Sequence, residues 1–224
     1  MLDDFSMPQK PTASIYIDGL NLYRQKLQYH PDTKWLDLIL LAQNMLPTHD
    51  IVRVRYFSAK VRAAATDANA PVRQMVYWRA LRTLGPRLTI HEGTMRADHR
   101  KMVVIPREYL ADGSPVLAKV LKIEEKGSDV SLASHMVLDA AREPSDIHVL
   151  LSSDSDFAPP LTILREELGV TTGLFSPIEK PSTALSATQP LITKVVRRAT
   201  LLRSQLPDEV VDGTATIHRP DTWA

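Results

Sequence analysis

The chain has 224 residues, 44% of them hydrophobic, enough for one α/β domain with a sizeable core. It has 27 Lys+Arg against 26 Asp+Glu, a formal net charge of +1, and no cysteine, which excludes disulfides, zinc–thiolate centres and thiol nucleophiles. No apolar run approaches the roughly 20 residues that cross a bilayer, and Met1-Leu2-Asp3-Asp4 lacks the basic-then-apolar order of a secretory signal, so no membrane partner and a cytoplasmic location are expected.

In chain order, residues 1–13 are polar with two prolines and read as a flexible leader. Ile15 to Ile17 is a short buried strand ending at Asp18. Helical spacing of Leu20, Tyr23 and Leu27 follows, running through His30. A second helix is expected over Trp35–Leu46, stopped by Pro47. Ile51–Phe57 alternates apolar and basic residues, a strand with one wetter face. Ala68–Leu84 reads as a helix ended by Gly85-Pro86, and Arg87–His91 as a short strand. From Gly93 to Lys126 a β-hairpin insertion is expected, with strands at Met102–Ile105 and Val116–Ile123 and a turn at Asp112-Gly113.

Ser128–Arg142 is a helix with Ser128 as its N-cap. Ile147–Leu151 is the central buried strand, followed by a helix over about Phe157–Leu168 that Gly169 closes. Val170–Phe175 is the last core strand, a helix spans about Gln189–Ser204, and residues 207–224 form an extended polar tail. Strands alternating with helices imply a Rossmann-like, mainly parallel sheet with helices on both faces, spanning residues 14–206 as one domain.

Charge is unevenly spread. Between Ile51 and Lys126 there are 15 Lys+Arg and 7 Asp+Glu, whereas the remainder is acidic by seven charges. A basic surface beside an acidic centre suits a nuclease, which draws in phosphates and cuts them at metal-bound carboxylates. An unevenly solvated surface gives the same count.

Three acidic motifs sit where strands should meet helices: Asp18-Gly19-Leu20-Asn21, Gly127-Ser128-Asp129, and Ser152-Ser153-Asp154-Ser155-Asp156. In open α/β sheets that edge is where ligands bind. Carboxylates gathered there raise one another's pKa unless a cation such as Mg²⁺ or Mn²⁺ neutralises them. Each also has a structural alternative: Asp18, and one of Asp154 and Asp156, serve equally as helix caps. A wheel drawn through Ala133, Met136, Val137 and Ala140 puts Asp129 near the centre of the buried stripe, Asp139 on its flank, and His135 on the opposite, exposed side. Asn21 and Ser153 are candidates for substrate or metal-held water. Lys60, Lys101 and Lys126 lead a set of basic residues suited to a phosphate backbone. No nucleophile elbow and no Gly-rich phosphate loop of the Walker type occurs.

The segments Tyr16-Ile17-Asp18-Gly19-Leu20-Asn21, Glu124-Glu125-Lys126-Gly127-Ser128-Asp129 and Ser152-Ser153-Asp154-Ser155-Asp156-Phe157 together resemble the NYN domain family of PIN-like ribonucleases, over roughly residues 13–178. Ser204-Gln205-Leu206-Pro207, Ile217–Pro220 and Trp223 resemble the endings of one bacterial branch. The resemblance implies Mg²⁺- or Mn²⁺-dependent hydrolysis of RNA, with Asp18, Asp129, Asp154 and Asp156 as the metal set and Asn21 beside them. One departure is His135, where many members carry another aspartate. The expectation is an endoribonuclease acting on single-stranded RNA, whose splayed bases Tyr56, Tyr77 or Trp78 would stack. A non-catalytic RNA-binding or adaptor module and a phosphohydrolase with an aspartate nucleophile are the alternatives, and a homodimer is compatible with the sequence.

Overall fold

The protein is described by a computed structural model covering residues 9–63 and 66–223; residues 1–8 of the expected leader lie outside the described residues. Seven strands form the central sheet: β1 (Thr12–Asp18), β2 (Asp50–Ala59), β3 (Leu88–Val103), β4 (Leu117–Lys126), β5 (Ile147–Leu151), β6 (Thr172–Ser176) and β7 (Ile192–Val195). Their spatial order is β4-β3-β2-β1-β5-β6-β7. All pairs are parallel except β3–β4. The chain builds outward from β1 in one direction, then returns to β1 and builds outward in the other. The point of reversal is the C-terminal ends of β1 and β5, where such sheets leave a crevice.

Strand alternation explains the two cores. Ala13, Ile15 and Ile17 of β1, with Ile147, Val149 and Leu151 of β5, face α2 (Leu38–Met45), α3 (Ala70–Arg82) and α7 (Arg198–Arg203). Tyr16 and Leu150 face the opposite side, under α4 (Ser128–Arg142), α5 (Ala158–Glu166) and α6 (Thr183–Ala187). Because both faces are covered, β5 is buried along its whole length and is apolar at every position but His148. Each fully buried Leu, Ile or Val of these strands contributes roughly 1.5–3 kcal/mol of transfer free energy.

Several elements differ from the sequence expectation. The strand reaches back to Thr12, so the end of the expected leader is already sheet. The first helix is short, α1 (Gly19–Leu22), and passes into a π-helical turn over Tyr23–Leu27. α2 starts three residues later than Trp35, because Asp37 accepts from Leu40 N at 2.8 Å and caps it there. The hairpin is not an insertion beside the strand at 87–91. It is the same strand: β3 pairs in parallel with β2 up to Gly93, then antiparallel with β4 from Thr94 to Val103. From Asp98 outward the β3 side of that arm is exposed on both faces, so its residues carry little of the alternation that marks a half-buried strand.

Past β6 the expected helix over Gln189–Ser204 is divided. Pro190 and the β-branched Ile192, Thr193, Val195 and Val196 favour an extended segment, which completes the sheet as β7 before α7 begins. The tail is not extended chain. β8 (Glu209–Asp212) and β9 (Ala215–His218) form an antiparallel hairpin, with Gly213 at φ 61° in the turn. Ile217 is buried against the core, and the Trp223 ring lies 6.3 Å from that of Trp35 and 6.0 Å from that of Tyr77. Trp35 Nε1 donates to Pro207 O at 2.7 Å, tying the tail's first residue down. Residues 207–223 therefore belong to the domain. Among the described residues, no helix is long and apolar enough to cross a membrane.

Candidate active site

The site grows from the ends of β1 and β5. Ile17 pairs with Leu151, so the next residues, Asp18 and Ser152, emerge side by side. Asp18 is only 6% exposed, and each of its oxygens has one partner. Oδ1 accepts from Asn21 N at 3.0 Å, capping α1, and Oδ2 accepts from Ser152 Oγ at 2.9 Å. Ser152 Oγ in turn accepts from Asp154 N at 3.1 Å, and Asp154 Oδ1 accepts from Asp156 N at 3.0 Å. Asn21 Oδ1 accepts from both Ser153 N at 3.1 Å and Ser153 Oγ at 2.9 Å. The two loops are thus laced together by their own polar side chains. Asp18 and Asp154 both cap helical turns and line the cleft, since one oxygen caps and lone pairs remain free.

Gly19 makes this packing possible. A Cβ there would lie 2.5 Å from the Tyr56 ring and 2.7 Å from Phe57 O, well inside van der Waals contact. Asp129 enters from the first turn of α4, which begins after Gly127, held at φ 96°. Ser128 is the first helical residue and not the cap, correcting the expectation; its N–H donates to Glu125 Oε1 at 2.9 Å.

Asp18, Asn21, Asp129 and Asp154 line one open, mostly polar cleft of about 380 Å³, together with Arg24, Glu124, Glu125 and Lys126. Asp156 is exposed at its margin, close enough to act on Asp129 electrostatically. Burial raises the Asp18 pKa to about 6 against the stabilising Asn21 and Ser152 hydrogen bonds, with Asp129 and Asp154 adding repulsion. Burial also raises Asp129, reinforced by Glu125, Asp154 and Asp156 and opposed by Arg24. Glu125 and Arg24 were not singled out from the sequence. Glu125 stands within the quoted acidic motif, but only the β4–α4 corner turns it toward Asp129.

Among the described residues, no group of three or more His, Asp or Glu side chains stands close enough to form a ready cage for a metal ion. The donor chemistry nevertheless suits Mg²⁺ or Mn²⁺. These are hard oxygen donors whose mutual repulsion Arg24 offsets only in part at Asp129, and Mg²⁺ keeps several waters and needs only one or two protein carboxylates.

The other sequence candidates separate. Lys126 lines the cleft and pairs with Glu124 at 3.1 Å. Lys60 pairs with Glu92 at 2.9 Å and borders a neighbouring groove beside β3. Lys101 lies opposite Lys119, seven residues along β4 from Lys126, roughly 23 Å away at ~3.3 Å per residue. Tyr56, Tyr77 and Trp78 are buried and line an aromatic cleft on the far side of α1.

His135 and Asp139 need correction. The wheel omitted Leu132; the buried face of α4 is Ser128, Leu132, Met136, Asp139 and Ala140. His135 therefore lies at the edge of that face, its ring 4.2 Å from His91 and 5.7 Å from Phe57. Asp139 is buried, not flanking: Arg55 grips it through Nε and Nη2, both at 2.6 Å, and Tyr16 OH donates at 3.0 Å. Although burial opposes ionisation, these partners hold its pKa below the usual carboxylate range. It braces β1 and β2 against α4 and is no part of the cleft.

A doubly wound sheet with an acidic cleft at its switch point makes this an open α/β-sheet protein whose candidate ligand site lies where such sheets bind their ligands. The NYN domain family model matches residues 12–193, and the chain belongs to that family. It is similar to 6-hydroxy-3-succinoylpyridine 3-monooxygenase HspA of Pseudomonas putida, 30% identical over 93% of this chain and 74% of that protein. A solved protein of unknown function from Vibrio parahaemolyticus shares the fold, with a TM-score of 0.52 at 14% identity, covering 85% of this chain and 96% of that one.

Proposed function

We propose that this protein is a ribonuclease that hydrolyses internal phosphodiester bonds of single-stranded RNA with the help of Mg²⁺ or Mn²⁺. The observation carrying this reading is the meeting of Asp18, Asp129 and Asp154 around one open polar cleft, with the pKa of Asp18 and of Asp129 raised. Asp18, Asp129 and Asp154 would hold the ion, with Asp156 at the margin. When bound, such an ion makes a water more acidic and offsets charge building on the phosphoryl oxygens.

The chain's own residues orient the rest. Ser152 and the Asn21 N–H fix the Asp18 carboxylate, and Ser153 fixes the Asn21 amide through its oxygen. Lys126 and Arg24 at the rim of the cleft supply the positive charge that draws in a phosphate backbone. The absence of cysteine accords with a reducing, cytoplasmic setting.

The test is cleavage of an end-labelled single-stranded RNA in Mn²⁺, Mg²⁺ or EDTA, beside Asp154→Asn. Metal-dependent internal cuts lost in the variant support the reading; RNA bound but uncut favours a binding module; cuts that survive the variant refute the site.

A second reading is favoured by the relative named as a monooxygenase and by the aromatic cleft beside the acidic one. In it, the chain acts on a small hydroxylated pyridine. Consumption of 6-hydroxy-3-succinoylpyridine in the presence of dioxygen and a two-electron reductant, without RNA cleavage, would select it.

A further inference from the structure

The cleft on the other side of α1 is unlike the acidic one. Tyr23, Tyr56, Tyr77, Trp78 and Trp223 give it aromatic walls, and Gly19 and Leu20 form the partition shared with the acidic side. Leu20 borders both clefts. The space amounts to about 130 Å³. An apolar cavity of roughly 150 Å³ takes a benzene ring, so this volume matches one six-membered ring and is too small for a fused pair.

The walls are held by the fold. Tyr77 OH donates to Leu36 O at 2.9 Å, and Gln74 spans Ala59 O and Val61 N, both at 2.9 Å, closing the lip. Trp78 is fully buried, yet its indole N–H meets no hydrogen-bond partner. Such a donor is left idle at a cost, and it turns toward the Tyr56 hydroxyl without reaching bonding geometry. One rim is polar. Lys34 Nζ sits 5.4 Å from the centre of the Tyr23 ring, and Arg73 pairs with Asp67 beside it. Burial and the Arg73 charge pull the Lys34 pKa down, a strain that an acceptor-bearing ligand would relieve.

We propose that this cleft binds a single planar six-membered nitrogen heteroaromatic ring, stacked on the exposed Tyr23 ring with Tyr56 and Trp223 beside it and the buried Trp78 behind, with an oxo or carboxylate substituent toward Lys34 and Arg73. The two sources of such a ring are a pyrimidine base of RNA and a free hydroxypyridine. The inference does not require the phosphodiester chemistry proposed above, and the two fail in separate assays.

The test is titration of the full chain with 2-hydroxypyridine, followed by the indole cross-peaks of Trp78 and Trp223 in ¹H–¹⁵N spectra. Saturable shifts of Trp78 are expected, absent with the non-aromatic cyclohexanol. Ala70→Phe, which fills the cleft from the start of α3, should weaken binding at least tenfold. No saturable shift, equal shifts with cyclohexanol, or unchanged affinity in a folded Ala70→Phe protein overturns the proposal. The wild-type comparison of the two probes stands if that variant does not fold.

Competition then separates the sources. Displacement of the probe by an oligoadenylate carrying one cytidine, but not by oligoadenylate alone, supports a base pocket. Displacement by neither supports a free-ring site. Equal displacement by both contradicts the single-ring size argument and overturns the proposal.

Discussion

Replacing Asp18 with Asn should abolish activity and make the protein more stable. The carboxyl has its pKa raised by burial from an ordinary 3.8 to about 6. At about 1.4 kcal/mol per tenfold change, ionisation of Asp18 therefore costs the folded state about 3 kcal/mol at neutral pH. Asparagine removes that cost and keeps the cap, because Asn and Asp serve equally well at an N-cap. The Ser152 hydroxyl, which donates to Asp18 Oδ2 at 2.9 Å, loses its anionic acceptor, a penalty of about 1 kcal/mol. The net gain is about 2 kcal/mol, or about 4–8 °C in Tm for a chain of this size. The sign with pH follows from the raised pKa. Wild type binds the extra proton only when folded, so its disadvantage is nearly complete above pH 6, shrinks through pH 5, is small at pH 4, and vanishes only well below the ordinary carboxyl value of 3.8, where Asp18 is protonated in both states. Urea denaturation of both proteins in EDTA at pH 4, 5, 6 and 7 reads this directly. A variant less stable than wild type at pH 7, or a gap independent of pH, would refute the assignment of a buried, uncompensated carboxylate.

In the same assay Mn²⁺ at about 100 times its Kd should stabilise wild type by about 2.7 kcal/mol and leave Asp18→Asn nearly unmoved; equal stabilisation of both would sever the link between metal and cleft. Asp139→Ala should cost about 3–5 kcal/mol, since it strands Arg55 without its partner; a loss below about 1 kcal/mol by denaturation would show that Asp139 bears no bracing role. Lys126→Ala should raise KM for a short RNA several-fold, whereas Lys101→Ala, roughly 23 Å along the arm, should change it less than twofold; the reverse order would relocate the RNA path. Truncation before Asp208 removes Ile217 and Trp223 from the core and should lower Tm by at least about 4 °C; an unchanged Tm would return the tail to the status of a dispensable extension.

Much of the layout was legible because its signals are local. β5 declares itself as four apolar residues and His148, ending just before Ser152, and α4 is bounded as the periodicity predicts, from Ser128 to Arg142. The reversal at β1 and β5 brings Asp18 beside Ser152 because both strands end in registered positions. Elements whose conformation depends on a neighbour were misread. β7 forms because β6 offers an edge. The β3 arm extends because β4 returns along it, and the tail folds back because Trp35 and Tyr77 present rings for Trp223.

The sequence by itself determined the alternation of strand and helix and the three acidic motifs at strand ends, since these are written in short-range periodicity and in residue type. Tertiary structure decided which carboxylates share a cleft, that Asp139 is consumed by Arg55, that Glu125 joins Asp129, and that aromatic residues spread from Tyr23 to Trp223 close around one ring-sized space. The physical reason is that desolvation and charge coupling depend on distances in space, which residues far apart in the chain acquire only when the sheet is assembled.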